Sequence, residues 1–159
     1  MKMHKLIIGL VVLLLAGSIM AEEKGDHVAI IVNKKSGFDN LPLAQLTKIF
    51  RGERSKDAQG NKIVIVMREK DSPERAAVLK NVYGMTEQEY QKYFLQATFT
   101  GAVQSAPRQI SGAAAIRAFV ANNPGAIAYV RGTDVDDTVA IVKVDGKAPG
   151  DDGYGVKLK

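Results

Sequence analysis

The clearest chemistry in this chain lies where an arginine ends an apolar run and a serine–proline pair follows four residues later. Arg68 closes Ile63-Val64-Ile65-Val66-Met67, and Ser72-Pro73-Glu74 comes after a short polar stretch. A serine at such a place caps a helix, and proline suits the first helical position. A strand feeding a helix N-terminus turns free backbone N–H groups and the positive end of the helix dipole toward an anion. A guanidinium beside it can hold an oxyanion through two parallel hydrogen bonds. Two features oppose this. Pro73 has no N–H to give, and Asp71 and Glu74 put carboxylates where a dianion would sit. Both acids also suit an ordinary first turn, where they complement the dipole. Arg68 is thus open to two readings, oxyanion ligand or ion-pair partner of Glu69, Asp71 or Glu74, and Arg75 shares the choice.

Ser111-Gly112 offers the same logic again, ahead of Ala115, Ile116, Phe119 and Val120, with a free helix N-terminus and no nearby acid expected. Arg108 can add a basic edge to that surface or stand solvated in its loop. The ligand-binding candidates are therefore Arg68, Ser72, Glu74, Arg108, Ser111 and Gly112. Catalysis finds little support. The chain has no cysteine, and beyond the first residues its one histidine is His27. A Cys–His nucleophile is impossible, and a zinc site would need carboxylates around a lone histidine. Asp134, Asp136, Asp137, Asp151 and Asp152 lack the ligand order and glycine of a calcium loop and suit exposed turns. No enzyme, metal or cofactor is expected.

The elements that must carry these residues follow from periodicity. His27 to Asn33, Lys62 to Met67, Ala126 to Val130 and Val139 to Val144 are short apolar runs that predict buried strands. Leu43, Leu46, Ile49 and Phe50 recur at helical spacing after Pro42, and Gly52 ends that helix. Ala76, Ala77, Leu79, Val82 and Tyr83 predict a helix closing at Gly84. Thr86 and Glu89 form a capping box for another, with Tyr90, Tyr93, Phe94 and Ala97 as its apolar stripe. Phe99 to Ile110 predicts a long loop, Lys34 to Asn40 a shorter one, and the segment from Pro149 a polar, glycine-rich tail. Asn123-Pro124-Gly125 is expected to be a structural turn that stops one helix and starts a strand. Strands alternate with helices and are apolar throughout, which predicts an α/β layered domain with a mostly parallel sheet covered on both faces.

The chain has 159 residues and a formal charge of +5. Met1 to Lys5 is basic, Leu6 to Ala16 is apolar, and small residues follow at Gly17, Ser18 and Ala21, the pattern of a secretory signal peptide. The apolar run is short for a spanning helix, which needs about 20 residues. Cleavage is expected after Ala21 or Ser18. With residues 1–21 gone, Lys2 and Lys5 go too and the charge falls from +5 to +3. That is too mild for a nucleic-acid partner. One domain over 22–159, exported to the periplasm and touching membrane only through its leader, is the expected product. Without cysteine, its stability must come from the core.

Three segments together resemble a known family. Leu41-Pro42-Leu43-Ala44-Gln45-Leu46 through Ile49-Phe50-Arg51-Gly52 resembles the "L-x-x-I-F-x-G" helix of phosphate-type periplasmic solute-binding proteins. Ile63 to Ser72 is similar to their strand and anion-binding loop, and Asn123-Pro124-Gly125-Ala126-Ile127-Ala128-Tyr129-Val130 to their "PGAIGYV" signature. The resemblance covers most of residues 28–144 and one lobe of a two-lobed clamshell. It implies one three-layer α/β/α lobe of the periplasmic-binding-protein type II fold. It also implies phosphate or a similar oxyanion as ligand and an ABC permease as partner. In the family's pattern Arg68 and Ser72 stand at the anion-binding arginine and serine. Asp71 and Pro73 replace glycines there, and Glu74 a threonine. The rival expectation is an envelope protein-interaction or signalling module that has kept the fold without the ligand, with helix 86–97 and the 99–110 loop as its contact region.

Overall fold

The structure, a computed structural model, describes residues 24–158. The expected leader over 1–21 and its cleavage bond lie outside them. No helix among the described residues is long and apolar enough to cross a membrane.

Six strands form one sheet: β1 (Val28–Val32), β2 (Asn40–Leu41), β3 (Val64–Arg68), β4 (Arg108–Ile110), β5 (Ala126–Arg131) and β6 (Ala140–Val144), in the order β2-β6-β1-β5-β3-β4. β2 runs parallel to β6, and β3 parallel to β4 and to β5. β1 is antiparallel to both its neighbours, β5 and β6. All strands but β1 therefore point one way, and the sheet is mostly parallel with one reversed strand at its centre. Sequence runs alone do not show that reversal, since β1 is buried on both faces just as its neighbour β5, which runs with the other strands, is.

Both faces are covered, which is why the central strands are apolar at every position. Val28, Ile30, Val32, Met67, Ile127 and Tyr129 point to one face. There they meet α1 (Leu43–Phe50), α2 (Pro73–Val78) and α3 (Glu87–Phe99), through Leu46, Phe50, Val78, Tyr90 and Phe94. Ala29, Ile31, Val66, Ala128 and Val130 point to the other, against Ile116 and Val120 of α4 (Ala113–Asn122). The three layers are those the resemblance implies. α2 continues into a π-helical turn, Leu79–Tyr83, which ends at Gly84 in the left-handed region (φ 63). Val82 and Tyr83 of that turn are both buried in the core.

Several expectations change. The long loop ends in β4, because Arg108–Ile110 pairs alongside Val66–Arg68 at the sheet's edge. The shorter loop ends in β2. The glycine-rich tail is anchored: Tyr154 and Val156 are buried, the Tyr154 hydroxyl donates to the Val28 carbonyl at 2.8 Å, and Val28 N–H donates to the Val156 carbonyl at 3.0 Å. Tyr90 and Phe94 face the core, so the stripe of α3 is not a contact surface. What α3 exposes is Leu95, 75% accessible, and Phe99, 91%.

Candidate functional site

β3, β4 and β5 are parallel neighbours, so their C-terminal ends lie at one edge of the sheet. Arg68 ends β3 opposite Ile110, the last residue of β4, and Gly112 follows two residues on. Arg131 ends β5. Topology thus brings two arginines and the start of α4 together. The chain leaves β3 through Glu69, Lys70 and Asp71, and Ser72 begins α2 as expected. Its Oγ accepts from Arg75 N–H at 3.2 Å and donates to the Glu69 carbonyl at 3.0 Å. The hydroxyl is spent on the cap, and Ser72 is buried.

Arg68 is held on three sides. Its backbone N–H donates to the Tyr129 hydroxyl at 3.0 Å. Its guanidinium forks onto Glu69, Nε to Oε2 at 3.0 Å and Nη2 to Oε1 at 2.9 Å. The remaining terminal nitrogen, Nη1, lies 3.8 Å from Glu74. Glu74 is buried at 5% accessibility and accepts from Arg131 Nε at 2.9 Å, so its carboxylate bridges the two strand-end arginines. Of the three ion-pair partners open to Arg68, the structure takes Glu69 and Glu74 and leaves Asp71 out.

The second candidate, Ser111-Gly112, meets the first. α4 is capped by Gly112 at φ 85, not by Ser111, and no side chain caps it. The expectation that no acid lies near this helix start is corrected. Gly112 N–H donates to Glu69 Oε2 at 3.3 Å, because β4 pairs next to β3. The Glu69 carboxylate therefore sits between the Arg68 fork and the amino end of α4. Chiefly the hydrogen bond from Arg68 holds its carboxyl down at about 2, with Gly112 contributing, so it stays ionised across the physiological range. Arg68 is raised by the same bond. Arg108 is turned onto α4, its guanidinium 5.4 Å from the Phe119 ring centre, and Ser111 is exposed.

Sequence reasoning missed Arg131, Tyr129 and the role of Arg75. Arg131 carried a usable signal: it follows the run Ala126 to Val130 just as Arg68 follows its own. Arg75 is buried at 4% accessibility, forks onto Glu87 at 2.7 and 2.8 Å, and gives Nη1 to the Arg68 carbonyl at 2.8 Å. It is a positioning residue for the end of β3. Among the described residues no group of acids and histidines could hold a metal ion.

Asp71 adopts a left-handed backbone (φ 66) on the loop's exposed side. It stands where the resemblance places a glycine, and its φ is one that glycine adopts freely. Left-handed geometry strains an L side chain, though least for Asp and Asn. Asp71→Gly is expected to stabilise the fold by about 0.5 kcal/mol, read as a small rise in thermal midpoint. A fall would show that the Asp71 side chain holds the loop.

A PBP superfamily domain matches residues 25–154. A structure described as a phosphate ABC transporter substrate-binding protein from Clostridium perfringens, with bound phosphate, is 28% identical with a TM-score of 0.63 and covers 78% of this chain and 47% of its own. An ABC-type phosphate transport receptor from Vibrio cholerae is 23% identical with a TM-score of 0.63, covering 78% and 48%. PstS from Borrelia burgdorferi is 18% identical with a TM-score of 0.59, covering 85% and 58%. The last two show likeness of fold alone. The chain spans about half the length of the structures it matches.

Proposed function

The chain belongs to the PBP superfamily, and on that premise we propose that it is an exported solute-binding-like protein that takes a small oxyanion, phosphate or one like it, at the Arg68 end of β3 for an ABC transport system. It acts in this reading as a binding protein, not an enzyme. One observation carries it. The Arg68 fork and the Gly112 N–H already hold a carboxylate, an oxyanion of the chain's own, in the way they would hold one from solution. The phosphate bound by the Clostridium perfringens relative supports the choice of ligand class. Arg68 and Gly112 are the ligand-binding residues of the proposal. Ser72 caps α2, and Glu74 balances Arg68 against Arg131. Arg108 and Ser111 supply at most an outer edge.

The test is calorimetric titration of phosphate and of sulfate into the protein at low salt, beside Arg68→Ala. Heat in the wild type and its loss in the variant, by tenfold or more in affinity, is the expected result. No heat in the wild type, or equal affinity in both, sinks the reading.

A second reading has its own observation. Every cation of the cluster is paired within the chain, and Leu95 and Phe99 stand exposed at the end of α3. An envelope protein-interaction module that has lost its ligand would show both features. Wild-type heat with phosphate, lost on Arg68→Ala, decides against it.

A further inference from the structure

We infer that Glu69 is an internal competitor for the anion seat: its carboxylate fills the position between Arg68 and Gly112 and must swing out before an oxyanion from solution can enter. The inference rests on the oxyanion reading above and adds its regulation. Glu69 differs from its neighbour Glu74 in the property that matters for release. The Glu69 side chain is 32% accessible and that of Glu74 6%. Glu74 is also tied to Arg131 at 2.9 Å, so its departure would strand buried charge. Glu69 lies next to solvent, and rotation of its side chain exposes a carboxylate to water at modest cost. Its three contacts are those an incoming oxyanion would need: Nε at 3.0 Å and Nη2 at 2.9 Å of the Arg68 fork, and the Gly112 N–H at 3.3 Å.

A tethered carboxylate competes at the high effective concentration of an intramolecular ligand. An oxyanion then binds only the fraction of molecules whose seat is open, and its apparent affinity falls by that fraction. The device sets a threshold. At low anion concentration the protein holds its own carboxylate and stays compact at this edge. At high concentration the seat exchanges one oxyanion for another, with no change in which donors are satisfied.

The test compares wild type, Glu69→Ala, Glu69→Gln and the double variant Arg68→Ala/Glu69→Ala. Inorganic phosphate is titrated into each by calorimetry at low salt, with Asp152→Asn as a control for net charge. Glu69→Ala is expected to bind phosphate at least tenfold more tightly than wild type, which corresponds to a seat open in about a tenth of wild-type molecules or fewer. Glu69→Gln is expected to gain less, since its amide oxygen can still accept from Gly112. The gain is expected to vanish in the double variant, and Asp152→Asn is expected to match wild type. Equal affinity of wild type and Glu69→Ala overturns the inference while leaving the oxyanion reading standing if both bind. A gain that persists without Arg68, or that Asp152→Asn reproduces, overturns it too. Binding by Glu69→Ala with a silent wild type supports the inference and ends the wild-type oxyanion reading. Silence in all variants ends both.

Discussion

Arg75→Ala is expected to lower stability by about 3 kcal/mol and to weaken any oxyanion binding along with it. The side chain is buried and uses Nε, Nη1 and Nη2 at once: two bonds to Glu87, one to the Arg68 carbonyl, with its guanidinium 4.9 Å over the Tyr90 ring. Truncation removes the fork, strips a carbonyl of its partner and opens space beside Tyr90. The Glu87 carboxylate is about a third exposed and can rehydrate, which keeps the cost at the lower end for a broken buried pair. For a chain of this size the thermal midpoint falls by about 10 °C. Arg75→Lys keeps the charge but not the fork, and is expected to recover less than half.

The pH dependence has a definite sign. Chiefly the hydrogen bond from Arg75 lowers the Glu87 carboxyl below its ordinary 4.5. A depressed carboxylate stabilises the fold fully above its unfolded value and loses that contribution as pH falls through the folded one. The gap in midpoint between wild type and Arg75→Ala is therefore expected to be constant above pH 4.5 and to shrink below it. A midpoint within 3 °C of wild type at neutral pH, or a gap that widens in acid, would remove Arg75 from this role.

The layered fold was legible because its cause is periodicity. Continuous apolar runs mean two covered faces, and Val28 to Val32 and Ala126 to Val130 meet both α4 and the α1–α3 layer. The reversal of β1 was not legible, since direction leaves no mark on a run buried on both sides. Local chemistry was read well where it acts over a few residues. The Ser72 cap and the Thr86–Glu89 capping box both form. It failed where a partner lies far along the chain. Glu69 and Gly112 are 43 residues apart and meet only because β4 pairs beside β3, and β4 is too short and polar to announce itself. Glu74 and Arg131, 57 apart, meet for the same kind of reason. The tail misled because its two buried residues, Tyr154 and Val156, are isolated among glycines and charges. Sequence thus pointed to Arg68, where the anion seat is proposed, and missed the bond from Gly112 to Glu69 beside it.

Gly125→Ala is expected to cost about 3 kcal/mol or more, and the reason refines the turn expected of Asn123-Pro124-Gly125. The turn does form: Ala126 N–H returns to the Asn123 carbonyl at 3.0 Å. Gly125 has no left-handed backbone to require a glycine. What requires it is the start of β3. A Cβ at Gly125 would lie 1.9 Å from the Lys62 carbonyl oxygen and 2.8 Å from its carbon, both backbone atoms. The two chains approach this closely because Val64 N–H donates to the Gly125 carbonyl at 2.9 Å, the bond that opens the β3–β5 pairing. A methyl group there must push β3 away from β5, and those strands carry Arg68 and Arg131. Lost stability and a displaced Arg68 come together, so the proposed phosphate binding should fall with the midpoint. Gly155→Ala is the matched control: nothing lies within 4 Å of its Cβ and its φ is ordinary. There the only effect is a less flexible unfolded chain, a gain of about 0.5 kcal/mol. Opposite signs at the two glycines, read as thermal midpoints, are the expected result. If Gly125→Ala melts within 2 °C of Gly155→Ala, the close approach of β3 to the turn does not hold these strands in place.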